Sequence, residues 1–459
     1  MNAMPPNLLL IHCDQLRFDC LGCHGHPLVR TPNLDRLASE GRDFSLAFTP
    51  SPVCSPARAC LATGAWATTH RCLAIPSVEH YQPADARLPV LTNLLADAGY
   101  VQTHIGKFHR ETAATPDRYG VNRYVPESQY HIWRESQGLP RQPRDAGWFG
   151  QADLSITADQ SRLAWGADQT IEALRHGAAS GRPFFVRWDP SEPHLPNCVP
   201  EPFASMYDPA SIPPWPSFPD PLHGKPFIQS QQRRTWRLDD WSWPQWAPIV
   251  ARYLGEIALF DAQVGRVLDA LDTLEITEKT LVIFTTDHGD FTGGHGMIDK
   301  HYAMYDDILR VPLLLRWPGV VPAGQRSDAM VVHELDIART LLDVAGVRPP
   351  ESFVGENLID ITAATRADVF AQYHGAQFGL YSSRMLRSPR WKYIWNPTDV
   401  DELYNLAADP AELHNLAADA DAAEQLKIMR RRLVEWMQSI NDPLANQWTT
   451  PQLLEGLKP

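Results

Sequence analysis

The sequence predicts an α/β fold, in which helices sandwich a large, mostly parallel sheet and a small antiparallel α+β subdomain follows at the C-terminus. Two observations predict the large sheet: short apolar runs end in polar residues, and amphipathic helical patterns separate these runs. A third predicts the subdomain, because short strand-like segments replace this alternation from about Asp368 onward. We therefore divide the chain into an N-terminal domain, 1–365, and a C-terminal subdomain, 366–459.

The first half of the chain supplies three strand patterns and two helix patterns. The run NLLLIHCDQ reads as a buried strand with a polar carboxyl end, and TPNLDRLASEG predicts a helix that starts near Thr31 or Asn33. A second helix is expected over ARLPVLTNLLADAGY. The segments YVQTHIGKFHR and RPFFVRWDPSEPHLP each repeat the pattern of a strand followed by polar residues.

The second half begins with a long amphipathic helix over APIVARYLGEIALFDAQVGRVLDALDTLEI. Its apolar residues recur at steps of three or four: Leu254, Ile257, Phe260, Val264, Leu268 and Leu271. Two further strands, TLVIFTTDHGD and RVPLLLRWPG, and the helix HELDIARTLLDVAGV complete the alternation. Of the 40 prolines, 15 crowd into 183–248, which predicts that no long element runs through that segment.

The C-terminal pattern differs from the rest. The segment DVFAQYHGAQFGLYSSRMLRSPRWKYIWNP predicts short strands in hairpins, and DAAEQLKIMRRRLVEWMQSI predicts a helix that covers them. These elements make up the expected subdomain.

Composition and charge exclude several classes of protein. The formal net charge of −13 argues against a general nucleic-acid binder, although a few converging cations could still hold a small anionic substrate. No apolar run approaches the roughly 20 residues that span a bilayer, so we expect no membrane partner. The N-terminus lacks the features of a signal peptide, and the seven cysteines are an odd number in a large chain. We expect reduced thiols and a cytoplasmic protein, with a processed leader left open and no oligomeric state predicted.

The segment CLGCH, from Cys20 to His24, matches the pattern of covalent haem attachment. Haem attachment normally follows export, and the chain shows no export signal. Zinc binding through Cys20, Cys23 and a nearby histidine is a second possibility, and structural thiols are a third. Because so short a pattern often arises by chance, we favour structural thiols.

Polar residues at the ends of two predicted strands carry the first chemical signal. Asp14 and Gln15 end the first strand, and Asp287 and His288 end a later one. Carboxylate and amide oxygens with one imidazole at adjacent strand ends suit a single divalent cation. Taken alone, either pair of residues could instead cap a helix or lie in a solvated turn.

Nitrogen donors follow other predicted strands and loops. They are Lys107 and His109 in GKFH, His194 in EPHLP, and Lys300 in DKHY. Each alone is most often a surface charge or a structural histidine. Together with a metal, converging cationic donors fit an oxyanion with several negative oxygens, which suggests sulfate or phosphate ester chemistry.

The segment CSPARACLATG resembles the signature C-x-P-x-R-x-x-L-x-T-G of the formylglycine-dependent sulfatases, in the alkaline phosphatase superfamily. The matching residues are Cys54, Pro56, Arg58, Leu61, Thr63 and Gly64. The likeness continues in family order through TPNLDRLASEG, GKFH, TTDHGDFTGGHGM, RVPLLLRWPG and DELYNLAADPAELHNLA. It spans nearly the whole chain, and it implies an alkaline-phosphatase-like fold with the catalytic residues in the N-terminal domain.

The resemblance implies that Cys54 is a cofactor precursor rather than a buried thiol, a ligand or half of a disulfide. A separate formylglycine-generating enzyme would oxidise Cys54 to an aldehyde, whose hydrate attacks the sulfur of a sulfate ester. The second hydroxyl of the hydrate then expels sulfate, which a thiol could not do. Arg58 would fix the hydrate at a helix N-terminus.

The other site residues follow by matching position. The resemblance implies that Asp14, Gln15, Asp287 and His288 bind the cation together with residue 54, and the family metal is usually calcium. Lys107 and His109 would orient the hydrate and its covalent ester. His194 and Lys300 would contact the ester oxygens, as Lys107 also would, with His194 as the general acid for the leaving group.

Two positions depart from the commonest sulfatase pattern. Gln15 stands where many members have Asp, and His288 stands where many have Asn or Gln. In these two positions the chain resembles choline sulfatases and phosphonate monoester hydrolases instead. Because this pattern removes a charge and adds a softer ligand, manganese is an alternative to calcium. The main hypothesis is hydrolysis of a small organic sulfate monoester. A phosphonate monoester or phosphodiester hydrolase is the alternative, and an inactive anion-binding relative is the minor one.

One aromatic segment has no assigned role. Residues 215–246 contain Trp215, Trp236, Trp241, Trp243 and Trp246 among prolines and arginines. Packing of this loop against the sheet is favoured. A wall of the substrate site, where rings stack on a sugar or enclose a quaternary ammonium, is the alternative.

Overall fold

The computed structural model describes residues 5–79, 81–362, 366–377 and 379–456. It confirms the predicted α/β architecture. An eight-stranded, mostly parallel sheet is flanked by helices, and a four-stranded antiparallel sheet follows near the C-terminus. The proposed boundary between the two parts falls at 363–365, which lie outside the described residues.

The described residues form strands throughout the chain. In chain order they are β1 (Asn7–Cys13), β2 (Arg42–Phe48), β3 (Val101–Gly106), β4 (Arg123–Pro126), β5 (Gln151–Ala152), β6 (Phe184–Asp189), β7 (Cys198–Val199), β8 (Thr280–Thr286), β9 (Leu313–Arg316), β10 (Gln325–Val332), β11 (Val369–Gly375), β12 (Tyr381–Arg387), β13 (Trp391–Trp395) and β14 (Glu402–Asn405).

The α-helices of the same residues lie between and after these strands. They are α1 (Pro32–Ser39), α2 (Cys54–Thr63), α3 (Ala67–His70), α4 (Pro76–Glu79), α5 (Leu91–Asp97), α6 (Ser128–Ser136), α7 (Arg162–Ala179), α8 (Phe227–Thr235), α9 (Trp243–Thr273), α10 (Asp306–Leu309), α11 (His333–Val344), α12 (Ala423–Ser439) and α13 (Thr449–Glu455).

The large sheet has the order β10-β2-β9-β8-β1-β6-β3-β4. Its central strand β1 pairs in parallel with both β6 and β8, and β3 continues the parallel run beyond β6. Among the described strands of this sheet, only β9 runs against its neighbours, which are β2 and β8. Because β1, β6 and β8 are parallel, their carboxyl ends meet at one edge, where ligands bind in such sheets.

Each predicted strand and helix forms, but the proline-rich segment behaves differently from the prediction. Helix α9 begins at Trp243, inside that segment, and runs 31 residues with Pro248 within it. Pro244 lies in the first turn, where a missing N–H costs nothing, and a capping box at Ser242 and Gln245 satisfies other free donors. The apolar face of α9 packs on the sheet through the buried Tyr253 and Phe260.

Several elements were not predicted because their sequences carry little apolar alternation. Strand β10 starts with exposed polar residues and becomes buried only in its second half. Helix α7 is interrupted by glycines and polar residues, yet it packs on α9 and β6. Their positions depend on the sheet they join rather than on local pattern.

The antiparallel sheet β11-β12-β13-β14 confirms the predicted C-terminal hairpins. Helix α12 lies against β12 and β13, as expected for a covering helix, and α13 packs on α12. One buried apolar cluster joins this sheet to the main one, since Trp395 and Met385 share it with Tyr305 and Phe48.

All seven cysteines are free thiols. In CLGCH, Cys20 is fully buried, and burial raises the pKa values of the Cys20 and Cys23 thiols. The ring of His24 stacks on Phe18, and its nitrogens contact the Phe18 carbonyl at 2.7 Å and Asp43 at 2.9 Å. Both ring nitrogens of His24 are therefore engaged by protein groups, which agrees with structural thiols.

Among the described helices, none combines the length and the apolar composition that crossing a bilayer requires.

Candidate active site

The two polar pairs predicted at strand ends meet because β1 and β8 are adjacent. Cys13 is paired with Thr286 in register, so the next residues, Asp14 and Asp287, leave the sheet side by side. The backbone N–H of Gln15 donates to Oδ1 of Asp287 at 3.1 Å. Gln15 has φ of 67°, a left-handed conformation that turns its side chain back toward the site.

Cys54 is the first residue of α2 and is fully buried beside these strand ends. Its Sγ lies 3.2 Å from Nε2 of His288 and 3.7 Å from Oδ1 of Asp14. The ligand atoms of Asp14, Cys54, Asp287 and His288 all lie within 4.8 Å of one another. The structure thus brings together four of the five residues that the sequence predicts as metal ligands.

The tautomer of His288 follows from its hydrogen bonds. Nδ1 of His288 lies 2.8 Å from the Gly289 carbonyl, which can only accept, so Nδ1 carries the proton. In the neutral imidazole, which is the form that binds a metal, Nε2 would then present its lone pair toward Cys54.

Arg58 lies one turn after Cys54 on α2 and is fully buried beneath the site. Its guanidinium donates to Asp287 at 2.9 Å, to Asp14 at 3.1 Å and to Asp189 at 2.7 Å. Three carboxylates balance its charge, and each is held in a fixed orientation as a result.

Two lysines border the site. Lys107, just after β3, donates to Oδ2 of Asp14 at 2.6 Å. Lys300 donates to Oε1 of Gln15 at 2.8 Å and lies 3.0 Å from Asp299. Nζ of Lys300 is also 2.8 Å from Nε2 of His194, which must accept this bond. The side-chain oxygen of Gln15, the fifth predicted ligand, therefore faces Lys300.

His109 completes the predicted set. Its backbone N–H donates to Glu111 at 2.7 Å, and its carbonyl accepts from the Ser55 hydroxyl at 2.7 Å, which ties it to the start of α2. Its Nδ1 is buried and has no hydrogen-bond partner among the described residues.

Burial and charge act against each other on Cys54. Burial raises the pKa of its thiol, but Lys107, Lys300 and His288 outweigh burial and bring the pKa well below its usual value. Burial likewise raises the pKa of Asp14, but Lys107 and other cations outweigh it and bring the pKa below its ordinary value. Burial lowers the pKa of His288, yet Asp287 and Cys54 raise it to about 9. Position 54 thus sits in a strongly anion-favouring field.

The family model described as Sulfatase matches residues 6–347, and a model described as the C-terminal part of N-sulphoglucosamine sulphohydrolase matches 293–439. The chain belongs to the sulfatase family. It is a sulfuric ester hydrolase that acts on sulfate esters.

Curated relatives agree. The chain is 29% identical to uncharacterized sulfatase YidJ of Escherichia coli (strain K12), over 97% of this chain and 90% of that one. It is 31% identical to human iduronate 2-sulfatase, over 68% of this chain and 60% of the human one. Among solved structures, the phosphonate monoester hydrolase of Agrobacterium radiobacter superposes with a TM-score of 0.81 at 29% identity, covering 95% and 96% of the two chains.

Sequence reasoning missed a buried charge network beneath this sulfatase site. His12 lies between two carboxylates, 2.8 Å from Asp189 and 3.0 Å from Glu334. Arg187 also contacts Asp189, at 2.6 Å. Asp189 ends β6, next to β1, so the polar strand end was a usable signal for it. His12 and Glu334 lie in apolar or helical runs that carry no such signal.

Asp290 is a second missed residue. It lies three positions after Asp287 and accepts from Nε2 of Gln15 at 2.8 Å. Because the amide NH₂ is engaged there, the amide oxygen of Gln15 must face the centre of the site. The hydrogen bond to Asp290 therefore orients the Gln15 amide so that its oxygen is the atom that contacts a cation or Lys300.

The tryptophan-rich segment packs mainly against the protein. Trp246 is fully buried, and the indole N–H groups of Trp215 and Trp243 donate to the carbonyls of Thr292 and Ile212 at 2.8 and 2.7 Å. These three rings serve the packing role that the sequence favoured.

Beside the site lies a cavity of about 520 Å³, which we call the His194 cavity. It is lined by Lys107, His131, Gln142, Pro143, Arg144, Gly147, Trp148, Arg162, Ser191, His194, Leu195 and Pro196. Its volume falls in the range of small-molecule sites, roughly 300–1,000 Å³. Because Lys107 and His194 line it, the cavity opens onto the predicted catalytic residues.

Proposed function

We propose that this sulfatase hydrolyses a small organic sulfate monoester to an alcohol and sulfate, with formylglycine derived from Cys54 as the nucleophile. The observation that carries the proposal is the position of Cys54. It is the first residue of a helix whose signature is complete, and it faces His288 and Asp14 at 3.2 and 3.7 Å. A group meant only for packing would not need two lysines and an arginine around it.

The donor set fits one divalent cation. Asp14, Asp287 and His288 converge with residue 54 within 4.8 Å, and Gln15 adds an amide oxygen held by Asp290. Three oxygen donors favour calcium, while the imidazole of His288 keeps manganese as the alternative. When bound, the cation would polarise the ester oxygens and neutralise charge on the sulfate group.

The aldehyde hydrate at position 54 would supply the attacking oxygen and the second hydroxyl that releases sulfate. A separate formylglycine-generating enzyme would produce it from Cys54. Arg58 holds Asp14 and Asp287 in place under this position, and its contact with Asp189 fixes the guanidinium. Lys107 is bound to Asp14 and His109 to Ser55, so both lie beside position 54 and would orient the hydrate by hydrogen bonds.

His194 and Lys300 are proposed to meet the ester on its leaving-group side. Nδ1 of His194 donates to the Leu195 carbonyl at 2.6 Å, which leaves Nε2 to accept from Lys300 at 2.8 Å. Burial lowers the pKa of Lys300, but Asp299 and residue 54 outweigh burial and raise it, so Lys300 stays charged. As the general acid, His194 would carry on Nε2 a proton taken from solvent rather than from Lys300, and would pass it to the departing alkoxide.

A phosphonate monoester or phosphodiester hydrolase is the second candidate. It is favoured by the likeness to the Agrobacterium radiobacter enzyme, which at 29% identity extends over nearly the whole of both chains. Phosphonate monoesters carry a tetrahedral anionic centre of similar size, so the same cations would accept them. The full set of sulfatase motifs and named sulfatase relatives keeps sulfate esters first.

Two coarser proposals accompany the function. The division into a catalytic domain, 1–365, and a subdomain, 366–459, is supported by the separate antiparallel sheet that starts at Val369. A cytoplasmic location is supported by seven free cysteines, since a reducing compartment keeps thiols unpaired.

Peptide mass spectrometry across residue 54, made on the same sample as the kinetics, tests the nucleophile. Active enzyme should carry formylglycine, with activity proportional to the modified fraction. Each preparation is then assayed on 4-nitrophenyl sulfate, choline sulfate, a sugar sulfate and phenyl phosphonate monoester, and scored by kcat/KM. Active enzyme with an unmodified Cys54 would contradict the proposal that formylglycine is the nucleophile. Efficient turnover of the phosphonate alone would replace the first candidate by the second.

A further inference from the structure

The His194 cavity is markedly basic for so acidic a chain. Its lining includes five basic side chains, Lys107, His131, Arg144, Arg162 and His194, and no carboxylate among the described residues. The whole chain has a formal net charge of −13. Basic side chains gathered in one cleft of an acidic protein favour an anionic ligand there. Lys107 and His194 belong to the reacting end, so the outer three need a separate explanation.

The outer basic residues differ in how their charge is balanced. Arg162 is half-buried and lies 2.8 Å from Glu192, so its charge is already matched inside the protein. Burial lowers the pKa of the exposed His131, which favours its neutral form. The Arg144 side chain is exposed and makes no ion pair with the described residues. Arg144 therefore offers the uncompensated charge at the outer end of the cavity.

An aromatic surface stands beside this arginine. Trp148 is 54% exposed although it lines the cavity, and the ring of Trp236 supports it edge-on, with 6.3 Å between ring centroids. A supported and exposed indole provides a flat apolar face on which a sugar or an aryl ring can stack. Arg144 and Trp148 lie four residues apart on the same segment.

The cleft also extends past Arg144. A second cavity of about 400 Å³ shares His131, Gln142 and Arg144 with the first and adds Arg134, Glu135, Pro140 and Arg141. Arg134 is bound to Asp153 at 2.9 Å, and Arg141 lies 3.3 Å from Glu135. Arg144 lines both cavities and therefore stands where they meet.

We infer that Arg144 and Trp148 form a subsite for a second anionic group, a carboxylate or another sulfate, carried on the ring of the alcohol that the sulfate esterifies. This inference rests on the proposed function and narrows its substrate to an anionic, ring-bearing sulfate ester. It disfavours choline sulfate, because a quaternary ammonium would enter a cleft lined by cations.

Matched substrates test the subsite. They are 4-(sulfooxy)benzoate and 4-(sulfooxy)phenylpropanoate, each compared with its methyl ester, which lacks the second negative charge. The measured quantity is kcat/KM for the acid divided by kcat/KM for its methyl ester. In Arg144→Gln this ratio should fall about tenfold for at least one spacer length, because the variant loses one charged hydrogen bond. Arg144→Lys should keep part of the preference, since it keeps the charge. Trp148→Ala should raise KM for acids and esters alike.

A matched control removes the same charge elsewhere. Arg175 is exposed on α7, away from the residues that line either cavity, and Arg175→Gln should leave the acid-to-ester ratio unchanged. Circular dichroism and thermal melting check that each variant folds as the parent does. The comparison is between variants on the same substrates, so differences in leaving-group acidity cancel.

The two proposals fail in different ways. If the parent hydrolyses acids and esters and Arg144→Gln has the same ratio as the parent at both spacer lengths, the subsite is wrong while the proposed function stands. If neither is hydrolysed but phenyl phosphonate monoesters are, the proposed function fails. The subsite is then judged by the same ratio measured on carboxylated phosphonate esters.

Discussion

Nη1 of Arg58 donates to Oδ1 of Asp189 at 2.7 Å, with both side chains fully buried. The two residues come from a helix start and a strand end that are 131 positions apart. Asp189 also contacts His12, Arg187 and His104, so one carboxylate meets two buried guanidinium groups and two imidazoles. The arginine beneath the nucleophile is held by a residue that its own motif does not contain.

Asp189→Asn should therefore damage both stability and catalysis. Removing one charge leaves buried guanidinium groups uncompensated, and we expect the free energy of unfolding to fall by about 3–5 kcal/mol. Because Arg58 also orients Asp14 and Asp287, kcat should fall at least about tenfold. Urea unfolding and steady-state kinetics measure the two effects.

The control for this variant is Asp168→Asn, which breaks an exposed pair with Arg266. Its effect on the free energy of unfolding should stay below about 1 kcal/mol. If Asp189→Asn were as stable as the control, the network would not carry the role assigned to it.

The contact between Gln15 and Asp290 predicts a charge conflict. Gln15→Glu would bring a second carboxylate to the buried Asp290, to which the Gln15 amide now donates a 2.8 Å hydrogen bond. We expect kcat/KM to fall at least about tenfold, because the pair must take up a proton or move apart. Adding Asp290→Asn restores an N–H donor and should recover part of the activity. Additive losses in the double variant would contradict the coupling.

Chelation should destabilise the folded protein as well as inactivate it. Asp14 and Asp287 approach one centre, and the proposed cation between them would bind the native state but not the unfolded chain. We expect EDTA to lower Tm by a few degrees and added Ca²⁺ or Mn²⁺ to restore it. The more effective ion, measured by differential scanning fluorimetry, identifies the preferred metal. If neither EDTA nor either ion at millimolar concentration changed Tm, the proposed metal site would be wrong.

Glu256 predicts a dependence of stability on pH. Burial and the nearby Glu192 raise the pKa of Glu256 to about 8, and its Oε2 accepts from Asn197 at 2.7 Å. The folded protein therefore holds a proton that the unfolded chain loses near pH 4.5. This contribution to stability is complete below about pH 4.5 and disappears as the pH rises through about 8.

Glu256→Gln keeps the neutral form at every pH. The difference in free energy of unfolding between this variant and the parent should shift in favour of the variant by on the order of 2 kcal/mol from about pH 5 to about pH 8. Urea titrations at the two pH values give this difference. Glu435→Gln, at an exposed position of α12, is the control and should show no such gain. An equal response of both variants would assign the pH dependence to other groups.

Local sequence patterns predict some features of the fold and not others. The ends of β1 and β8 were predictable because apolar runs that stop at Asp14 and Asp287 are local patterns. The direction of β9 was not, since RVPLLLR reads the same in a parallel or an antiparallel strand. Helix α9 starts earlier than predicted because a capping box at Ser242 and tertiary packing of Trp246 overcome the local proline signal.

The sequence by itself determined the family signature at Cys54 and the residue types that can bind a cation and an oxyanion, because these depend on spacing along the chain. Tertiary structure alone decided that Glu334, His12 and Asp189 lie under Arg58. The contacts of His12 with Glu334 and with Asp189 join residues 322 and 177 positions apart. The tertiary structure also decided that Arg144 and Trp148 border the His194 cavity. Contacts of this kind arise from the way strands and loops pack, and no local pattern encodes them.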